Sequence, residues 1–240
     1  GLTMANCTFA NPCGPSDFSQ TGVNTLNALL PSTLMYFNGG TYPATNNAPN
    51  GLTLNSGQAV IGTVANYSAL ASGAARSTFN GSFLLSGNNV LSSIILNNTS
   101  GANTTAGAPL LVQSSNLNIN ALVSFPGILA NNNSSLTLVD SQLNVSGSSS
   151  GGFFSTPSGG AISLSSNSAA FIDNSNINYV NTSFNTTSYG LVVQDATSMI
   201  AMQDGSLNVS GGFDASLTNG PNISFSGVSC TLYGGVVRCQ

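Results

Sequence analysis

Gly160-Ala161-Ile162-Ser163-Leu164, Ala169-Ala170-Phe171-Ile172 and Asn174-Ser175-Asn176-Ile177-Asn178 are answered thirty residues on by Gly190-Leu191-Val192-Val193-Gln194, Met199-Ile200-Ala201-Met202 and Asp204-Gly205-Ser206-Leu207-Asn208. The two blocks align without a gap. Each holds three short apolar patches separated by Ser, Asn, Asp or Gly, the pattern of three short strands and three turns. Such a unit cannot bury its apolar side alone and must stack on neighbours, which predicts a solenoid.

Strand-like segments continue on both sides of these blocks, at 33–37, 51–54, 58–61, 82–85, 94–96, 110–112, 117–119, 136–139 and 143–145. Their short length and the Asn/Gly/Ser clusters between them suit stacked coils better than long hairpins. Leu117, Leu143, Ile177 and Leu207 then hold equivalent places on successive coils, with surplus residues bulging at turns. The Ser/Gly-rich stretch 147–159 reads as one such loop. Upstream, Val23, Leu26, Leu29 and Leu30 recur at helical spacing until Pro31, with Thr21 placed to act as N-cap. A short helix there would cover the open end of the first coil.

The 240 residues are 41% apolar, enough for one sizeable core, yet only 3% are charged: two Arg, six Asp, and no Lys, Glu or His. About 25% is usual. A surface of Ser, Thr, Asn and Gly makes solubility insensitive to pH and salt and gives little charge repulsion between copies. That suits a protein of the outside world, one in a harsh medium or one built to associate with itself; a general bias toward uncharged secreted proteins would give the same composition. Arg76 and Arg238 are too few to neutralise a phosphate backbone, which argues against nucleic acid as a partner. No apolar run approaches the roughly 20 residues of a membrane-spanning helix, so no membrane insertion is expected. The opening Gly1-Leu2-Thr3 lacks a basic segment and an apolar run, so any signal peptide is expected to be absent from this chain.

Cys7 and Cys13 stand near one end, Cys230 and Cys239 near the other. An even number in a Lys-free polar chain reads as disulfides in an oxidising compartment. Of three pairings, Cys7 with Cys13 and Cys230 with Cys239 is favoured, because the ends of a long solenoid lie far apart. Zinc is the competing use, and the spacing without His suits it poorly. Thirteen Asn-x-Ser/Thr sequons, among them Asn66, Asn80, Asn98, Asn103, Asn144, Asn181, Asn185, Asn208 and Asn222, are candidate glycosylation sites, although composition alone accounts for most of them.

Three positions ahead of the four equivalent core residues stand Ser114, Asp140, Asn174 and Asp204. Stacked coils bring these together at a turn, where Asn can form a hydrogen-bonded ladder and Asp can bond backbone N–H groups. A cation between Asp140 and Asp204 is the alternative. Two coils of ~4.8 Å separate that pair, too far for one ion. The ladder is the expectation, with no metal and no cofactor.

Two stretches carry a family resemblance. Leu34-Met35-Tyr36-Phe37-Asn38-Gly39-Gly40-Thr41-Tyr42 resembles the opening strand and GTY turn of pectate-lyase-like right-handed parallel β-helices, and Leu52-Thr53-Leu54, Gln58-Ala59-Val60-Ile61-Gly62 and Ser86-Gly87-Asn88-Asn89-Val90 continue in their manner. Gly159-Gly160-Ala161-Ile162 with Phe171-Ile172-Asp173-Asn174 is similar to the GGAI and FxxN motifs of chlamydial polymorphic outer-membrane proteins. The resemblance spans about residues 31–210 and implies a right-handed β-helix exposed at a cell surface or beyond. The C-terminal barrel that such autotransported proteins carry has no counterpart here.

Many proteins of that fold act on polysaccharides. A lyase of the pectate type needs a Ca²⁺ site of clustered acids and an Arg or Lys base, and only Arg76 and Arg238 are candidates. A hydrolase needs two carboxylates about 5–9.5 Å apart across a cleft. Of Asp17, Asp140, Asp173, Asp195, Asp204 and Asp214, only Asp173, Asp195 and Asp204 fall on neighbouring coils. In the gapless alignment Asp195 matches Ser165 and Asp204 matches Asn174, both turn positions. Triads fail without His. Ice binding would need Thr rows, and Thr99, Thr104, Thr105, Thr182, Thr186 and Thr187 cluster in loops instead.

The sequence therefore predicts an all-β fold, a right-handed parallel β-helix. It is a three-sided solenoid with irregular coils of about 22–34 residues and a short N-terminal capping helix. Residues 1–32 form the cap, 33–228 the helix and 229–240 a disulfide-bridged tail. The expected role is a secreted, non-catalytic structural protein of the extracellular space or cell surface, a self-assembling subunit of a filament, sheath or surface layer. Its expected partner is itself, with segments 33–42 and 224–237 as candidate contacts and glycans or other surface proteins as further partners. The alternatives are an adhesin or carbohydrate-binding β-helix and, last, a polysaccharide-degrading enzyme. The absence of Trp and the scattered Tyr argue against a sugar-binding platform.

Overall fold

A computed structural model describes residues 7–42, 52–62, 76–80, 83–85, 88–98, 104–106, 110–113, 115–122, 127–130, 133–148, 160–182, 187–211 and 214–239. They form an all-β structure of mostly parallel strands, in a curled fifteen-stranded sheet and a seven-stranded one. This topology is compatible with a β-solenoid.

The pairings fall into three ladders. The first runs through Leu34–Phe37, Ala59–Gly62, Asn89–Ser92, Leu110–Gln113, Ser135–Val139, then 169–173, 199–203 and Ile223–Ser226. The second runs through Gly40–Tyr42, Ser77–Asn80, Ile94–Asn98, Asn116–Leu122, Gln142–Ser148, then 175–181, 205–211 and Ser229–Leu232. The third joins Leu52–Leu54, Phe83–Leu85, Thr104–Ala106, Ile128–Ala130, Gly160–Leu164, Thr187–Val193 and Asp214–Asn219. Successive coils range from 17 residues (Asn80 to Asn97) to 37 (Tyr42 to Phe79), so both extremes fall outside the expected range. The coil from Asn80 to Asn97 is short because only two, three and one residues separate its successive strands.

Alternation along each strand sends every second side chain inward. Leu117, Leu143, Ile177 and Leu207 pair in register, and the row extends back to Leu96 and Phe79 and forward to Cys230. All seven are at most 1% exposed. Burying each of the larger side chains contributes about 1.5–3 kcal/mol. These rows, with their counterparts from the other two ladders, form one continuous apolar cluster.

The corner from the first ladder to the second is a stack of left-handed residues: Ser93, Asp140, Asn174, Asp204 and Gly227, with φ between 43° and 67°. Asn, Asp and Gly adopt this region at least cost. The next residue inward is a buried serine on three successive coils. Ser175 Oγ accepts from Ser141 N at 3.0 Å, Ser141 Oγ from Ser115 N at 3.2 Å, and Ser115 Oγ from Ile94 N at 3.2 Å. Each hydroxyl in turn donates to the carbonyl two residues back. A turn removes these N–H groups from the strand ladder, and a buried donor without a partner costs about 1–3 kcal/mol. Before the first-ladder strands Ser168 Oγ likewise accepts from Ser134 N, and Ser198 Oγ from Ser168 N.

The thirty-residue period holds for Ala169–Asn181 against Met199–Gly211. It does not hold in the third ladder. There Gly160 pairs with Tyr189 and Ile162 with Leu191, one residue short of the gapless alignment. The extra residue is taken up in the turn that contains Asp195.

The helix forms at Gln20–Asn27, capped by Ser19 rather than Thr21: Ser19 Oγ accepts from Gly22 N. Val23 and Leu26 are buried, and Leu30 lies beyond the helix, exposed. Asn27 Oδ1 accepts from Thr53 N, and Leu29 O accepts from the side chains of Asn55 and Gln58, which seats the helix on the first third-ladder strand. Cys7 and Cys13 are joined, and the segment between them borders the first strand: Tyr36 N donates to Cys7 O, Cys13 N to Tyr36 O, and Asn38 N to Cys13 O. Phe18, Phe37, Tyr42 and Phe79 close the core beneath, with the Tyr42 and Phe79 rings stacked at 4.7 Å. The Tyr42 hydroxyl donates to Cys13 O and Asn38 O.

At the other end, Ser229–Leu232 continues the second ladder, so the coils run past residue 228. Only then does the chain turn back as Gly235–Val237, antiparallel to that strand. Cys230 is an inward core residue bonded to Cys239, which ties this turn to the interior. Among the described residues, no helix is long and apolar enough to cross a membrane.

Gly205 follows the corner residue Asp204 at φ +89°, and a Cβ there would collide with the carbonyl of Ser175 on the coil beneath. Gly205→Ala is expected to destabilise by about 2–4 kcal/mol through overpacking and backbone strain. Gly234→Ala, at φ +79° with nothing within 4 Å, meets only the strain, about 1–2 kcal/mol. Thermal unfolding of the two variants checks this; equal losses would show that coil contact at Gly205 is unimportant.

Candidate functional site

The outward side of the second ladder concentrates the unusual chemistry of this chain. Alternation brings Asn80, Asn97, Asn144, Asn178, Asn208 and Thr231 into one row, the backbone of residue 118 standing in register between Asn97 and Asn144. The adjoining row is Thr78, Ile95, Asn116, Gln142, Asn176, Ser206 and Ser229. No position in either row is charged.

Amides stack along these rows because strands ~4.8 Å apart set like side chains within hydrogen-bond reach. Asn208 Nδ2 donates to Asn178 Oδ1 at 2.7 Å, Asn178 Nδ2 to Asn144 Oδ1 at 2.7 Å, and Asn144 Nδ2 to Asn116 Oδ1 at 3.1 Å. Asn97 donates likewise to Asn80, and Ser206 Oγ to Asn176 Oδ1. An asparagine ladder thus stands on the strand face, four residues after the turn positions. Its signal was the recurring Asn one position after each inward Leu or Ile, as in Leu143-Asn144, Ile177-Asn178 and Leu207-Asn208.

At the turn itself, Asn174 Nδ2 donates to Asp140 Oδ1 at 2.7 Å, and Asp204 stands over Gly227 of the next coil. Ser114 lies outside the described residues. No group of three or more His, Cys, Asp or Glu that could hold a metal occurs among the described residues.

A groove of about 640 Å³ runs along this corner, lined by Arg76, Ile95, Asn116, Asp140, Gln142, Asn174 and Asn176 beside the buried Ser115 and Ser141. Partial burial lowers the Arg76 pKa, though an arginine remains a cation at any ordinary pH. The groove lining combines one cation, one carboxylate and four amides. Such a lining can hydrogen-bond hydroxyls or other amides. Among the described residues that line it, Asp140 is the one carboxylate.

The candidate acceptors Asn66, Asn103 and Asn185, and the side chain of Asn98, lie outside what is described. Asn80, Asn144 and Asn208 belong to the amide stack, and Asn181 is buried. Asn222 Nδ2 donates to Ala196 O and Ser198 O. A glycan on Nδ2 at Asn144, Asn208 or Asn222 would displace these bonds. Of the candidate contact segments, 33–42 has its strand bordered by the cysteine segment. Ile223–Ser226 pairs on one side only among the described residues.

Sequence reasoning assigned Asp195 no role beyond the turn. Its carboxylate accepts from Ser166 N on the coil beneath and from the N–H and hydroxyl groups of Thr197 and Ser198, at 2.6–2.9 Å. These donors hold its pKa well below the usual carboxylate range, the Thr197 hydroxyl being the largest influence. A depressed folded-state pKa stabilises fully above the unfolded value of about 4, and that stabilisation is lost as pH falls toward the folded value. Acid titration of thermal stability is expected to show the wild type losing stability below about pH 4. Asp195→Asn should start lower at neutral pH and fall less over the same range. Parallel curves would mean that the carboxylate does not pin the turn.

No family model matches this chain, and neither does any curated protein or any solved structure, so its role is argued from its own residues.

Proposed function

We propose that the chain is a right-handed, three-sided parallel β-helix that serves outside the cell as a non-catalytic structural subunit and assembles with copies of itself. The observation that supports this reading most directly is the outward side of the second ladder, a long uncharged surface of stacked amides. Such a surface is rigid, because each amide is held by its neighbours. It also offers no like-charge repulsion to an approaching copy. Disulfides at both ends fit an oxidising environment.

A second reading, an adhesin that holds glycans, is favoured by the corner groove. Its amides, Arg76 and Asp140 suit the hydroxyls of a saccharide. Ile95 is a poor substitute for an aromatic platform, which ranks this reading second.

Negative-stain electron microscopy of the native, unreduced protein over a concentration series tests the first reading. Fibres, sheets or defined oligomers are expected, and reduction of the disulfides should weaken them while far-UV circular dichroism keeps its β signature. Particles that stay single at every concentration would remove the structural reading, and a glycan-binding screen would then test the second.

A further inference from the structure

We infer that the amide face of the second ladder is a contact between two copies of this chain, set row against row. This rests on the self-assembly proposed above and names the surface and the partner. The stack uses only part of the amides of Asn178, Asn116 and Asn176. Asn178 donates once, to Asn144, and accepts once, from Asn208. A carboxamide carries two N–H donors and two lone pairs, so Asn178 keeps one of each. Asn116 and Asn176 accept through Oδ1 and keep both N–H donors. The surface is therefore donor and acceptor at once, and the pattern repeats at the strand spacing along the ladder. A partner that matches it in pitch and in chemistry is a second identical row. One patch facing its own copy is the isologous arrangement of a two-fold dimer. Facing amide rows are also the chemistry of polar zippers between stacked strands.

Charge and size agree. The two rows contain no charged residue, so the copies meet without repulsion or ion desolvation. Val180, 43% exposed, lies on the same side two residues beyond Asn178 and would be covered by the contact. Eight strands at ~4.8 Å and about five residues at ~3.3 Å give roughly 600 Å² of flat area per copy. A standard interface takes about 800 Å² per partner.

Sedimentation velocity of the full chain over a concentration series tests the inference, with Asn178→Lys on this face and Gln203→Lys, exposed on the first ladder, as control. The wild type should associate. Asn178→Lys should weaken association by about tenfold or more, since each copy must then bury an unpaired ammonium in an otherwise uncharged contact. Gln203→Lys should leave it unchanged. If the wild type associates and both variants associate equally well, this face is not the contact, while self-assembly stands. If the wild type stays monomeric at all concentrations, self-assembly itself is lost and the inference with it. Should Asn178→Lys fail to fold by circular dichroism, Asn178→Cys and Gln203→Cys with a short bis-maleimide linker decide instead. Covalent dimer from the first alone supports the contact, and equal or absent crosslinking from both overturns it.

Discussion

Parallel strands about 4.8 Å apart in strict register allow no position to be chosen independently of the one beneath it. Each residue stands on the residue of the previous coil, so every position is in effect a column. An apolar column must remain apolar from Phe79 to Cys230. The corner column must tolerate a left-handed backbone at Ser93, Asp140, Asn174, Asp204 and Gly227. Buried backbone N–H groups freed by the corner must find acceptors in the neighbouring coil, and Ser115, Ser141 and Ser175 supply them. The outer asparagine column obeys the same rule on the solvent side.

The columns do not contribute equally. An inward leucine buried among its neighbours stabilises by about 1.5–3 kcal/mol, while an outward cross-strand pair contributes roughly 0.2–1 kcal/mol. Inward columns therefore decide whether coils stack, and the serine columns decide where they turn. The asparagine column adds little to folding in comparison. Its regularity over coils of such different length is more economically read as a property of the surface.

Inward columns were legible because apolar residues recur between polar ones, and Leu117, Leu143, Ile177 and Leu207 stand at like places in that pattern. The disulfide pairs followed from their positions at opposite ends. The serine columns were hidden: a Ser in a chain this rich in Ser carries no distinguishing signal, and only stacking reveals its acceptor role. The helix cap stands two residues ahead of Thr21: both Ser19 and Thr21 are residue types that cap helices, and Ser19 is the one whose Oγ accepts from Gly22 N. Asp195 was matched to Ser165, whereas the third-ladder register sets it against Ser166, whose N–H it accepts.

That last difference bears on how chains of this kind change length over generations. Between the third ladder and the first, one extra residue is accommodated with the strands on both sides still paired, because a carboxylate fills the widened bend. The same insertion inside a strand would exchange the inner and outer columns for the rest of that strand. Insertions and deletions are thus filtered by location, tolerated at bends and rejected between them. Lineages can then alter coil size, or duplicate a coil outright, without rebuilding the interior.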